Sequence, residues 1–119
     1  EFSSNSLRDL LLKTDITINY FSTTSIDSCF FEIPIINICI NKNSANSLKW
    51  YYNWSHYKKL LRYNAIDIIY NFESLFKKLN YLSIRKNLKN RNAKLIKKDV
   101  INNNDGLSGL RLSECFFRK

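Results

Sequence analysis

Methionine is absent from this chain of 119 residues, while glycine occurs twice and proline once. So little glycine excludes the usual glycine-rich phosphate loops, which need several backbone positions free of Cβ. There is no apolar run near the roughly 20 residues that a helical membrane span requires, and no secretory leader pattern. The three cysteines, Cys29, Cys39 and Cys115, are odd in number and far apart. They lack metal-ligand spacing and each lies in an apolar stretch. We expect buried, reduced thiols in a cytoplasmic setting, with no metal and no cofactor. Without a methionine even at position 1, Glu1 reads as a cut edge. The expectation is a single partial domain, residues 1–119, whose N-terminal part is missing.

Hydrophobic residues make up 45% of the chain and aromatics 14%, enough for a packed core. The net charge is +9, from 19 Lys+Arg against 10 Asp+Glu. Such a charge could attract nucleic acid or an anionic membrane. Asn, Lys, Ile and Tyr are all abundant, however, as an AT-rich coding bias would produce. We therefore read the charge as a solvated basic face. Nucleic acid is not expected as a partner, whereas peripheral contact with the anionic inner face of a membrane is kept as an expectation.

Along the chain, residues 4–13 predict a helix with Leu7, Leu10 and Leu11 on one stripe. A strand follows over Ile16–Tyr20, then a helix over about 23–32 with Ile26, Cys29, Phe30 and Ile33 on one side. After Pro34, Ile35–Ile40 is a nearly continuous apolar strand, as in a parallel sheet covered on both faces. Residues 41–55 form a polar, then aromatic, connection. A helix over His56–Arg62, a strand over Ala65–Tyr70 and a helix over Phe72–Leu82, with Phe72, Leu75, Phe76 and Leu79 inward, come next. Ser83–Val100 predicts one long basic helix, and Leu107–Phe117 a last helix with Leu112, Cys115 and Phe116 on one side. Alternating strands and helices imply an α/β fold: a partial Rossmann-like three-layer domain with a short parallel sheet of about three strands and a helical C-terminal tail.

The most informative stretch is residues 14–40. A strand running into the hydroxyls of Ser22, Thr23 and Thr24 at a helix start would gather N–H groups and a positive dipole end, where phosphates bind. Those hydroxyls also suit plain N-capping. Asp27, one turn later on the same face, could take a sugar hydroxyl or simply gain from the helix dipole. His56, the single histidine, is either a surface residue beside Trp54 and Tyr57 or a contact to phosphate. The run Lys49 to Trp54 could stack on a base or pack against another domain.

This pattern resembles the C-terminal nucleotide-binding domain of GT-B-fold glycosyltransferase-like enzymes. It is most similar to the CDP-glycerol glycerophosphotransferase and capsule polysaccharide biosynthesis group. That group carries a strand ending in a D-x-S-S-x-x-x-D type segment, then an apolar stretch, a proline and an apolar strand. The counterparts here are Ser22, Thr23, Asp27, Pro34 and the strand after it. A later His-containing helix, strand, helix, Arg-bearing helix and D-G-x-x-x-x-R closing motif correspond to His56, residues 65–70, residues 72–82, Arg85 or Arg91, and Asp105-Gly106 with Arg111. Asn19 departs from an acidic residue common in the group, and Thr23 replaces a serine. The resemblance implies a transferase half that holds CDP-glycerol or a sugar nucleotide, with Ser22, Thr23, Thr24 and His56 on the donor phosphates. Asp27 would hold a ribose, glycerol or sugar hydroxyl. The acceptor and the catalytic base would lie in the missing N-terminal domain, so no residue of this chain is expected to be catalytic and the fragment is not expected to act alone.

Two other functions remain open on the sequence. A non-catalytic basic module for nucleic acid or an anionic membrane surface would rely on Lys86, Lys89, Lys94 and Lys97 and be salt-sensitive. An inactive gene remnant would fit the composition drift. In helix 83–100 Arg91 falls inside the apolar stripe, which would make it a snorkelling or paired arginine. Asp105-Gly106 is expected to cap the last helix.

Overall fold

The computed structural model describes residues 6–40, 51–85, 88–100 and 105–117. Their order is α1 (Leu7–Leu12), β1 (Thr17–Asn19), α2 (Thr24–Phe30), β2 (Ile35–Ile38), α3 (Ser55–Arg62), β3 (Asp67–Ile69), α4 (Phe72–Ile84), α5 (Ala93–Val100) and α6 (Ser108–Phe117). The three strands form one parallel sheet in the order β1-β2-β3. Thr17 stands opposite Ile35 and Asn19 opposite Asn37, while Ile36 stands opposite Asp67 and Ile38 opposite Ile69. The fold is the α/β arrangement expected, with a short parallel sheet and helices on both faces.

Strand alternation divides the core in two. On one face Ile35 packs with Cys29 of α2, Tyr57 and Leu60 of α3, and Ala93 and Ile96 of α5. On the other, Ile36 and Ile69 pack with Leu82, and with Leu75 and Leu79, of α4. The inward side of α4 is therefore Leu75, Leu79 and Leu82. Phe72 and Phe76, expected inward, are each 62% exposed. A sheet three strands wide offers α4 only one narrow stripe to cover.

Helices α2 and α3 turn into the following strands by the same device. Ile33 N–H donates to the Ser28 carbonyl and Glu32 N–H to that of Cys29. Ala65 N–H donates to the Leu60 carbonyl and Asn64 N–H to that of Leu61. Both are Schellman closures, with Glu32 (φ 59°) and Asn64 (φ 50°) in the left-handed region. Asn64 suits that conformation; Glu32 does not, and its carboxylate has another task, as an ion-pair partner of Lys97 at 3.2 Å.

The long basic helix expected over 83–100 is two helices. The segment 88–92 is non-helical because its polar groups bond across the fold. Asn90 donates through Nδ2 to the Ala65 carbonyl at 2.7 Å and through its backbone N–H to the Glu32 carbonyl at 2.6 Å. Asn92 Nδ2 donates to the Asn64 carbonyl at 3.0 Å. Such bonds compete with the helix ladder. Arg91 consequently sits exposed in a turn, not inside an apolar stripe.

The last helix differs in burial. Cys115 is exposed, as are Leu112 and Phe116, so of the three thiols only Cys29 and Cys39 are buried. Asp105 accepts from Leu107 N–H at 3.0 Å and pairs with Arg111, which closes the start of α6 as expected. These two contacts hold the Asp105 carboxyl below its ordinary range, the Leu107 bond first. Lys49, Trp50 and Lys86 lie outside the described residues.

Candidate functional site

The hydroxyl-bearing turn between β1 and α2 is a closed hydrogen-bond unit. Ser22 Oγ accepts from Thr24 N–H at 3.2 Å and donates to Thr24 Oγ1 at 2.8 Å. The Ser22 carbonyl accepts from Ser25 N–H at 3.0 Å, and the Thr23 carbonyl from Ile26 N–H at 2.8 Å. The first-turn amides that the sequence reserves for a phosphate are thus bonded within the turn. What Ser22, Thr23 and Thr24 offer outward is hydroxyl oxygen. Asp27 is half-buried in the first turn of α2, its N–H 3.4 Å from the Thr23 carbonyl.

Tyr57 fastens this turn to α3. Its hydroxyl accepts from Ser22 N–H at 2.7 Å and donates to the Ser22 carbonyl at 2.9 Å. His56 precedes it, the ring centroid 5.0 Å from that of Tyr57 and 5.7 Å from that of Trp54. Tyr57 therefore links Ser22 to the surroundings of His56. Nothing in the sequence singles out Tyr57, which is one aromatic among the seven tyrosines of the chain.

Beneath α2 runs a polar seam that the sequence analysis missed. Ser28 Oγ donates its one proton to the Thr24 carbonyl at 2.8 Å, so Thr17 Oγ1 donates to Ser28 Oγ, also at 2.8 Å. Asn19 Nδ2 donates to Ser25 Oγ at 3.1 Å. Asn37, on the central strand, shares the face of Ile35 and stands beside Asn19. It is fully buried, and neither amide atom has a partner. Asn19 Oδ1, Tyr52 Oη and His56 Nε2 are buried and unpartnered as well. A buried amide without hydrogen bonds costs about 1–3 kcal/mol on mutational scales, and native folds keep few of them. The signal available in the sequence was Asn37 itself, a single amide inside an otherwise apolar strand.

Tyr52 closes this end of the sheet. Burial pushes its phenol above the ordinary value, and Cys39, Tyr70, Tyr57 and Tyr20 push in the same direction. Its ring lies 5.1 Å from that of Phe21, two residues beyond β1, and 6.2 Å from that of Tyr57, which puts Tyr52 at the C-terminal end of β1. Open parallel sheets bind ligands outside the C-terminal ends of their strands. Of the aromatic run, read either as stacking on a base or as packing against another domain, Tyr51 stacks on Phe21 at 5.2 Å and Tyr52 meets it edge-on at 5.1 Å. Cys39 and Cys29 are raised by burial, Cys29 to about 12, so neither presents a thiolate near neutrality.

Among the described residues no group of His, Cys, Asp and Glu could hold a metal ion, and no helix is long and apolar enough to cross a membrane. The lysines expected to line one basic helix are divided, with Lys97 and Lys89 both facing Glu32. No protein-family model, curated protein or solved structure matches the chain.

Proposed function

We propose that the C-terminal end of the sheet binds a nucleotide-activated donor, CDP-glycerol or a sugar nucleotide. The chain would be the donor-binding portion of a glycosyl- or glycerophosphotransferase of surface polysaccharide synthesis. Asn19, Asn37, Tyr52 and His56 carry buried polar atoms without a partner, and these unanswered atoms carry the proposal. Amide edges and a phenol supply donors and acceptors together, which suits neutral polar groups such as a ribose, a glycerol or a base edge. The hydroxyls of Thr23 and Thr24, with His56, would meet the donor phosphates, and Ser22 would hold the turn in shape. Asp27 would accept from a ribose, glycerol or sugar hydroxyl. The acceptor and the base would come from another domain.

Calorimetric titration of CDP, UDP, GDP and ADP against the wild type and Asp27→Ala tests this. One nucleotide should bind saturably, at least tenfold more weakly to the variant. Absence of saturable binding to all four, or equal affinity in a variant that keeps its circular-dichroism spectrum, contradicts it.

A further inference from the structure

At the other end of the strands two clefts share a wall. The larger, about 660 Å³, is mostly apolar, with Leu12, Ile16, Phe31, Ile33, Leu82 and Leu88 in its lining beside two carboxylates, Asp15 and Glu32. The smaller, about 470 Å³, is mostly polar and carries Lys78, Arg85, Lys89 and Arg91 against one carboxylate, Asp67. Pro34, Leu82, Arg85, Leu88 and Lys89 line both, so the two are one groove with an apolar half and a cationic half. Each half falls within the size range of small-molecule sites, about 300–1,000 Å³.

The cations differ in how far they are engaged. Lys78 is tied to Asp67 at 2.7 Å. Among the described residues Arg85 and Arg91 make no ion pair with a carboxylate. Lys89 stands 3.8 Å from Glu32, with its side chain 73% exposed, and Glu32 has the closer Lys97 at 3.2 Å. The Arg85 guanidinium lies 4.3 Å from the Tyr81 ring centroid and donates to its hydroxyl, which holds its charge at the junction of the halves. Leu12, 57% exposed, stands at the mouth of the apolar half.

We infer that this groove takes a single-chain anionic amphiphile. The hydrocarbon chain lies in the apolar half and the anionic head among Arg85, Lys89 and Arg91. A bare anion would leave the apolar half wet, and a neutral amphiphile would leave Arg85 and Arg91 unanswered; only a ligand with both parts uses the whole groove. The groove and the nucleotide-binding end lie at opposite ends of the strands, so this inference stands apart from the proposed function.

Calorimetry with dodecyl phosphate below its micellar concentration tests it, with dodecyl maltoside and inorganic phosphate as comparison ligands. The variants are Arg85→Gln combined with Lys89→Gln, and Leu12→Asp, all at exposed positions, with folding checked by circular dichroism. Dodecyl phosphate should bind saturably at one site, at least tenfold tighter than either comparison ligand and at least tenfold weaker to both variants. Equal binding of dodecyl maltoside would reduce the groove to an apolar surface. Equal binding of inorganic phosphate would make it an anion site alone. Either result, unchanged affinity in the variants, or no saturable binding overturns the inference.

Discussion

The Tyr57 hydroxyl stands between the amide and the carbonyl of Ser22, accepting at 2.7 Å and donating at 2.9 Å. One side chain thus fixes the β1–α2 turn and the start of α3 together. Tyr57→Phe keeps the ring but leaves both Ser22 backbone groups without that partner. It should destabilise the fold by about 1–3 kcal/mol, read from the urea midpoint at constant slope. Its nucleotide affinity should fall as well, because the Ser22 turn loses the hydroxyl that holds it to α3. An unchanged midpoint would remove Tyr57 from this role.

Asn37 sets stability against binding. Replacing its unpartnered amide with an apolar side chain of similar size, Asn37→Val, should stabilise the fold by about 1–3 kcal/mol. The same variant should bind nucleotide at least tenfold more weakly. A midpoint that falls would show that the amide is satisfied in the folded protein; affinity that holds would separate it from the site.

Glu32 makes stability depend on acid. The hydrogen bond from Lys97, at 3.2 Å, is the main cause holding its carboxyl below the ordinary value of 4.5, with the charges of Lys97, Lys89 and Lys94 adding to it. Since the folded-state value lies below the unfolded one, the contribution is complete above about pH 4.5 and is lost as pH falls through the folded value. Urea midpoints measured on the acid side of roughly pH 5 should therefore fall more steeply for wild type than for Glu32→Gln. Parallel curves would show that the pair is inert.

The thiols should separate by exposure. Cys115 is open to solvent, whereas Cys29 and Cys39 are buried and their thiols raised by burial. A thiol-reactive dye should label Cys115 rapidly in the folded protein and the other two only with denaturant. Rapid native labelling of Cys39 would mean that the Tyr52 end of the sheet opens.

The strand-helix alternation was legible because Ile35–Ile40 is apolar but for Asn37 and each strand is followed by a capping or turn signal. The neighbourhood of Ser22 and His56 was legible only in part: the hydroxyls stood out, while Tyr57, which links Ser22 to the surroundings of the histidine, did not. Helix 83–100 misled because its local propensity is helical, and the bonds of Asn90 to Glu32 and Ala65 that break it come from 25 residues or more away in sequence. The inward face of α4 misled for another reason. Periodicity says which residues share a side, but the narrow sheet decides that Leu75, Leu79 and Leu82 win over Phe72 and Phe76. Asn37 was hidden by its setting, since one amide in an apolar strand carries no sign of whether a partner awaits it.

The most direct test of the central claim is an amide-resolved NMR titration of the protein with CDP, UDP, GDP and ADP. The account predicts saturable shifts confined to residues 19–27, 37–39 and 52–57, at the C-terminal ends of the strands, for one of the four. Shifts centred on 82–92, or none that saturate, would contradict nucleotide binding at that end.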